Sequence, residues 1–288
     1  MRDALAHHSA FWRRLAYLGA RHGPNAWVRH SPALFGAAFA LALPDARRKV
    51  RDNLRWVRGP VGPVRERREV LQTFVEYARC LAESLAGERP EALAARLSVS
   101  GEHHLSEALA RGRGAVIVTA HVGPWDAAAR LLRAAAQVDV VIAMVSEPDA
   151  AARSLHDAVR ERSGVRVLHV GAHPLDGLPL LRHLRSGGVI AIQLDRGAPS
   201  GRLLEVELFG QSFSVPEGPF RLAALAGAPI VPLFARRRGY FDYELGISEP
   251  LVLEARAGVE ALRAAAQRAA TQMEAFIRIA PTQWFQFR

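Results

Sequence analysis

The sequence predicts an α/β protein, a mixed sheet covered by helices, preceded by a basic amphipathic helical arm. Three observations carry this reading. Short apolar runs of strand length recur from residue 115 onward, helix-like stretches separate most of them, and the positive charge is concentrated near the start. At 288 residues, half of them apolar, the chain can bury one sizeable body with at most a small appended segment. Long polar or acidic tracts are absent, which excludes wholesale disorder. One cysteine, Cys80, excludes an intramolecular disulfide framework and a cysteine-based zinc site, and suits a reducing compartment.

The arm comes first. Phe11, Leu15 and Leu18 recur at helical spacing beside Trp12, with Arg13 and Arg14 on the flank and Trp27 after a Gly-Pro break. This is the pattern of a helix lying at an interface. Residues 32–43 form a second apolar segment that runs into Arg47, Arg48, Lys49, Arg51, Arg55 and Arg58. Each such charge is worth about 1 kcal/mol on anionic headgroups. Residues 1–70 hold fourteen Arg and Lys against five Asp and Glu, or +9 of the total +10. Such an arm suits an anionic membrane surface, an acidic soluble partner or a nucleic acid, and no helix-turn-helix, RNA-recognition or zinc-finger signature supports the last. Amphipathic helices packed on the body with solvated arginines are the other reading of the same residues. The charge-free stretches 31–44 and 222–235 fall short of the roughly 20 residues of a spanning helix. Arg13, Arg14 and Arg21 likewise interrupt the start before it makes a secretory signal.

Gly59-Pro60-Val61-Gly62-Pro63 is the turn-rich boundary, giving an arm over 1–63 and a body over 64–288. From Val70 to Leu85 the positions Phe74, Ala78, Leu81 and Leu85 share one helical face. Strands are expected over 115–119, 138–145, 165–170, 189–194 and 230–234, with a late one over 240–247 and an Ala-rich helix over 253–279. No internal repeat is visible.

The chemistry is concentrated in Thr119-Ala120-His121-Val122-Gly123-Pro124-Trp125-Asp126. A buried-type strand ends at Thr119, Gly123 permits a tight turn, and Pro124 suits the first helical position. On one continuous helix, residues five apart point about 140° away from each other, so His121 and Asp126 meet only if His121 precedes the helix. A carboxylate beside a histidine fixes its tautomer and stabilises the imidazolium while the other nitrogen takes a proton from a hydroxyl. The chain has no Gly-x-Ser-x-Gly, so the base would act on a substrate hydroxyl directly, with backbone N–H groups at the helix start facing a developing oxyanion. A core histidine beside a helix-capping aspartate is the alternative these residues leave open. His169 and His173 flank a strand-to-loop glycine with no third ligand evident, and no metal is expected. Trp284, Phe285 and Phe287 read as core closure rather than a lipid gate, and Asp195 with Arg196 as either a loop ion pair or part of a substrate site.

The segment from Thr119 to Asp126 resembles the bacterial late acyltransferases of lipid A, the lauroyl and myristoyl transferases, and their relatives that acylate phosphatidylinositol mannosides. Later residues match in the same order: Asp195 after its strand; Leu208-Phe209-Gly210, then Gly218-Pro219 and Leu222-Ala223; Gly227-Ala228-Pro229-Ile230-Val231-Pro232; and Pro281-Thr282-Gln283-Trp284. Two places depart from the pattern. Ala143-Met144-Val145-Ser146-Glu147-Pro148 replaces a Tyr-Arg-Pro-like segment, and Arg196 stands where the family commonly has Gln. The resemblance implies a glycerolipid-acyltransferase-like fold and transfer of a fatty acyl chain from an acyl carrier protein or coenzyme A thioester to a hydroxyl of a membrane lipid such as a lipid A precursor. It makes His121 the base and Asp126 its partner, and it places Gly123, Trp125, Asp195, Arg196 and Gly218 at the substrate site. It implies no metal or redox cofactor, no nucleic-acid partner, and a peripheral position on the cytoplasmic face of a bacterial inner membrane. Acylation of a lysophospholipid or aminolipid is the neighbouring alternative, and a non-enzymatic basic module that binds a membrane or nucleic acid is the alternative from a different class.

Overall fold

The computed structural model describes residues 10–126, 138–145, 153–154, 157–158, 161, 164–171, 173, 175–196 and 201–287, with the side chains of 10–14 excepted. Phe11, Trp12, Arg13 and Arg14 are therefore described as backbone only, and Ser146, Glu147 and Pro148 lie outside the described residues.

Four helices open the chain: α1 (Ala10–His22), α2 (Asn25–Ala42), α3 (Pro44–Arg58) and α4 (Pro63–Leu85). Pro44 and Pro63 occupy the first turns of α3 and α4, where a missing N–H goes unnoticed. α2 crosses α4 at Gly36, where a Cβ would come within 2.7 Å of Phe74 O and Val75 Cα. Only a residue without a side chain permits that approach. α3 turns Val50, Leu54 and Val57 inward, and Val57 joins the main core. Much of the basic run is neutralised locally. Arg55 reaches Glu66 at 2.7 Å, Arg58 pairs with Glu69, and Arg48 pairs with Asp45. Lys49, Arg67 and Arg68 have no ion-pair partner among the described residues. Leu15, Leu18, Trp27, Leu34, Phe35 and Leu41 are exposed. No helix among the described residues is long and apolar enough to cross a membrane.

A short helix, α5 (Pro90–Leu93), leads to the sheet. The sheet has seven strands in the order β1-β9-β8-β2-β5-β3-β4: β1 (Arg96–Ser100), β2 (Ala115–Thr119), β3 (Val140–Val145), β4 (Arg166–Val170), β5 (Val189–Gln193), β8 (Ile230–Gly239) and β9 (Asp242–Ile247). Every pairing is parallel except β8 with β9. A separate antiparallel hairpin is formed by β6 (Leu203–Leu208) and β7 (Gln211–Pro216). Four further helices are placed among the described residues: α6 (Glu102–Ala110), α7 (Gly177–Arg185), α8 (Gly218–Ala226) and α9 (Val259–Ile279).

β2 is central and shows why the parallel strands read as unbroken apolar runs. Val116 and Val118 enter the core under α8 and α9, while Ala115 and Ile117 enter the one under α6. The expected mixed sheet covered by helices is the fold observed. Neither β1 nor the β6–β7 hairpin was expected. Arg96–Ser100 is mostly exposed and polar, and the hairpin's alternation covers only six residues a side. β8 also runs to Gly239, five residues past the expected end, because its arginines lie at a bulged margin paired with β9.

Candidate active site

Two adjacent strands build the centre. Thr119 of β2 pairs with Gln193 of β5, and the Leu194 N–H donates to Thr119 O at 2.8 Å. Two residues beyond each paired position stand His121 and Asp195. Parallel strands point their carboxyl ends the same way, so both side chains emerge in one crevice at that edge of the sheet.

His121 Nδ1 lies 2.8 Å from Asp195 Oδ1. Its backbone N–H donates to the same carboxylate, 3.1 Å from each oxygen. The Trp284 indole Nε1–H donates to Oδ2 at 3.0 Å. Asp195 has no exposed side-chain surface, whereas His121 is 15% exposed. Burial pushes the Asp195 carboxyl upward, but the charge and hydrogen bond of His121, the charge of Arg196 and the Trp284 indole outweigh it and hold the group below the usual aspartate range. An ionised carboxylate only accepts, so Nδ1–H donates to it, and whenever the imidazole is neutral Nε2 presents a lone pair. Nε2 makes no hydrogen bond among the described residues, and the Trp125 ring stands edge-on to the imidazole with centroids 5.6 Å apart.

Gly123 turns the chain after His121 with φ +54°, and a Cβ there would fall 2.4 Å from Ala235 O of β8. Trp125 and Asp126, which follow, are helical, as the Gly-Pro break predicts. Asp126 is half-buried. The hydrogen bond on Nδ1, expected from Asp126, comes instead from Asp195, a residue 74 positions away. Arg196, expected at the substrate, spends its guanidinium on the chain's last segment, with Nη2 to Phe285 O at 2.8 Å and Nε to Gln286 Oε1 at 3.2 Å. Gly218 opens α8, which packs on β2 and α7, and no hydrogen bond joins it to His121 or Asp195 among the described residues. His169 Nε2 lies 2.8 Å from Asp157, and among the described residues no three metal-capable side chains converge.

Sequence reasoning missed the part played by residues 283–286. Val122 and Trp284 form an antiparallel bridge, Phe285 N–H donates to His121 O at 2.8 Å, and Gly123 N–H to Gln283 O at 2.9 Å. The Gln283 side chain grips both the N–H and the C=O of Arg237 at 2.8 Å each. Arg237 is itself anchored on Glu83 of α4 at 2.8 Å, which also accepts the Tyr243 hydroxyl. Gln286 Nε2 donates to Asp195 O at 2.7 Å. Two glutamines within four residues of a Trp in an apolar tail were the available signal, since buried amides are kept where they have partners.

Residues 7–288 match the family described as bacterial lipid A biosynthesis acyltransferase. The chain belongs to that family. It is also 30% identical over 135 residues to the phosphatidylinositol mannoside acyltransferases of two strains of Mycobacterium tuberculosis. The alignment takes in 46% of this chain and 42% of each relative, so the match spans under half the length of those proteins.

Proposed function

We propose that the protein is an O-acyltransferase that moves a fatty acyl chain from an acyl carrier protein or coenzyme A thioester to a hydroxyl of a membrane glycolipid. The observation that carries this is His121, with Nδ1 tied to a buried, ionised Asp195 and Nε2 left open at the crevice. Nε2 takes the proton of the acceptor hydroxyl as its oxygen attacks the thioester carbonyl. The tetrahedral oxyanion collapses, the C–S bond breaks, and the imidazolium returns the proton to the departing thiolate. Asp195 stabilises the imidazolium between the two transfers.

Gly123, Trp125 and Gly218 belong to the substrate side in this reading. Asp126, partly buried five residues past His121, is a second carboxylate on the substrate side. Asp195 and Arg196 act from beneath, the first on His121 and the second on the chain's last segment. No metal or redox group enters this scheme. Family membership favours a lipid A-like acceptor, and the mannoside-acylating relatives favour a sugar hydroxyl. The exposed Leu15, Leu18, Trp27, Leu34 and Leu41, with Lys49, Arg67 and Arg68 unpaired among the described residues, support peripheral attachment to an anionic bilayer, which this reading takes to be the cytoplasmic face of an inner membrane.

The test is mass spectrometry of total lipids from a bacterial host expressing the wild type or His121→Ala at matched levels. A lipid gaining one acyl chain only with the wild type is the expected result. Removing a general base costs about 10² to 10⁴ in rate. Full transfer by His121→Ala would overturn the reading.

A further inference from the structure

Trp284 occupies an unusual position for a ring in an apolar cluster. Its side chain is buried among Trp56, Phe209 and the rest of the main core, with centroids 5.7 Å from Trp56 and 5.8 Å from Phe209. Its one polar atom is aimed at the carboxylate that holds the base. Trp56 offers the contrast, because its Nε1 is buried without a hydrogen-bond partner among the described residues and it serves the cluster as a ring alone. The indole of Trp284 thus closes a triangle of rings, since Trp56 and Phe209 are themselves 5.6 Å apart, and its backbone is held by the bridge to Val122 beside His121.

We propose that Trp284 is a positioning residue for the acyl transfer. Its indole N–H on Oδ2 orients the Asp195 carboxylate so that Oδ1 meets His121 Nδ1, and it sets how strongly that carboxylate supports the imidazolium. The proposal rests on His121 acting as the base. The carboxylate divides its charge among its donors: Oδ1 serves the imidazole and Oδ2 the indole, with the His121 N–H shared between them. Removing the indole donor leaves more charge facing the imidazole and a carboxylate free to rotate. The first change makes His121 harder to deprotonate, and the second spoils its aim.

Trp284→Phe keeps most of the ring and loses the N–H. Purified wild type, Trp284→Phe and His121→Ala would be compared with an acyl thioester and a glycolipid acceptor across pH. For Trp284→Phe, kcat is expected to fall about ten- to a hundredfold with KM unchanged. The acid limb of its kcat/KM profile is expected to move to higher pH by up to about one unit. Wild-type kcat with an unmoved limb, or a loss entirely in KM, would overturn the proposal while an inactive His121→Ala would leave the general-base reading standing. Activity in His121→Ala would overturn that reading instead.

A second measurement needs no substitution at Trp284. In ¹⁵N-labelled Trp125→Phe, which removes the indole beside the imidazole, one of the four remaining indole N–H resonances should respond to protonation of His121 and lose that response when His121 is also replaced by Ala. Four indoles blind to His121 would overturn the proposal even if Trp284→Phe did not fold.

Discussion

His121 and Asp195 each stand two residues past a directly paired couple, Thr119 and Gln193, on neighbouring parallel strands. The equal offset makes the contact a consequence of strand register. Shifting either strand by one residue would turn its side chains to the opposite face and separate the pair.

Asp195→Asn keeps the shape of the carboxylate and removes its charge, and an amide can present a donor to Nδ1. A loss of about 10² to 10⁴ in kcat is expected, because the imidazole is then free to adopt the wrong tautomer. Asp126→Asn should cost less than Asp195→Asn in the same assay. The reverse ranking would make Asp126 the partner that matters.

Gly123→Ala places a methyl 2.4 Å from Ala235 O in a backbone conformation of φ +54°. Either the His121 turn or β8 must shift. A stability loss of about 1 to 3 kcal/mol by denaturant titration is expected, together with loss of transfer activity.

Gly36→Ala tests the arm. The added methyl would strike the α4 backbone at Phe74 and Val75, within 2.7 Å. Overpacking at such a crossing costs about 1 to 3 kcal/mol. A wild-type melting temperature would show that α2 does not lie against α4.

Stability should fall in acid through Asp195. Its carboxyl is lowered in the folded protein, so the stabilisation it contributes is complete above the unfolded value of about 3.9 and is lost as pH drops toward the folded one. Asp195→Asn should therefore flatten the acid limb of a stability-versus-pH curve below about pH 4. An unchanged limb would show that Asp195 does not titrate in that range.

Leu34→Asp with Leu41→Asp should reduce co-sedimentation with anionic vesicles by about tenfold or more, since each leucine loses a favourable burial of about 1.5 to 3 kcal/mol. Binding equal to wild type would remove these two residues from any lipid-facing surface.

The sequence showed the central strands and the His121 turn clearly, because a buried parallel strand is a continuous apolar run and Gly123-Pro124 is strong punctuation. It did not show which carboxylate meets the histidine. Asp126 is near in sequence and Asp195 is near in space, and only the β2–β5 pairing reveals the second. Trp284 was legible as a buried ring but not as a donor, since nothing local marks the direction of an indole N–H. The basic run of α3 was legible as charge, whereas its pairing with Glu66 and Glu69 across the α3–α4 turn depended on how two helices meet.

The grip of Gln283, Phe285 and Gln286 on the two loops carries a consequence for synthesis. The turn at His121 and the loop at Asp195 leave the ribosome well before the residues that brace them, so until residues 283–286 emerge the pair has no indole and no amides to hold it. The nascent chain can close its sheet through β9 and still lack a fixed centre. The His121–Asp195 pair is thereby left unbraced until the segment after α9 has been made.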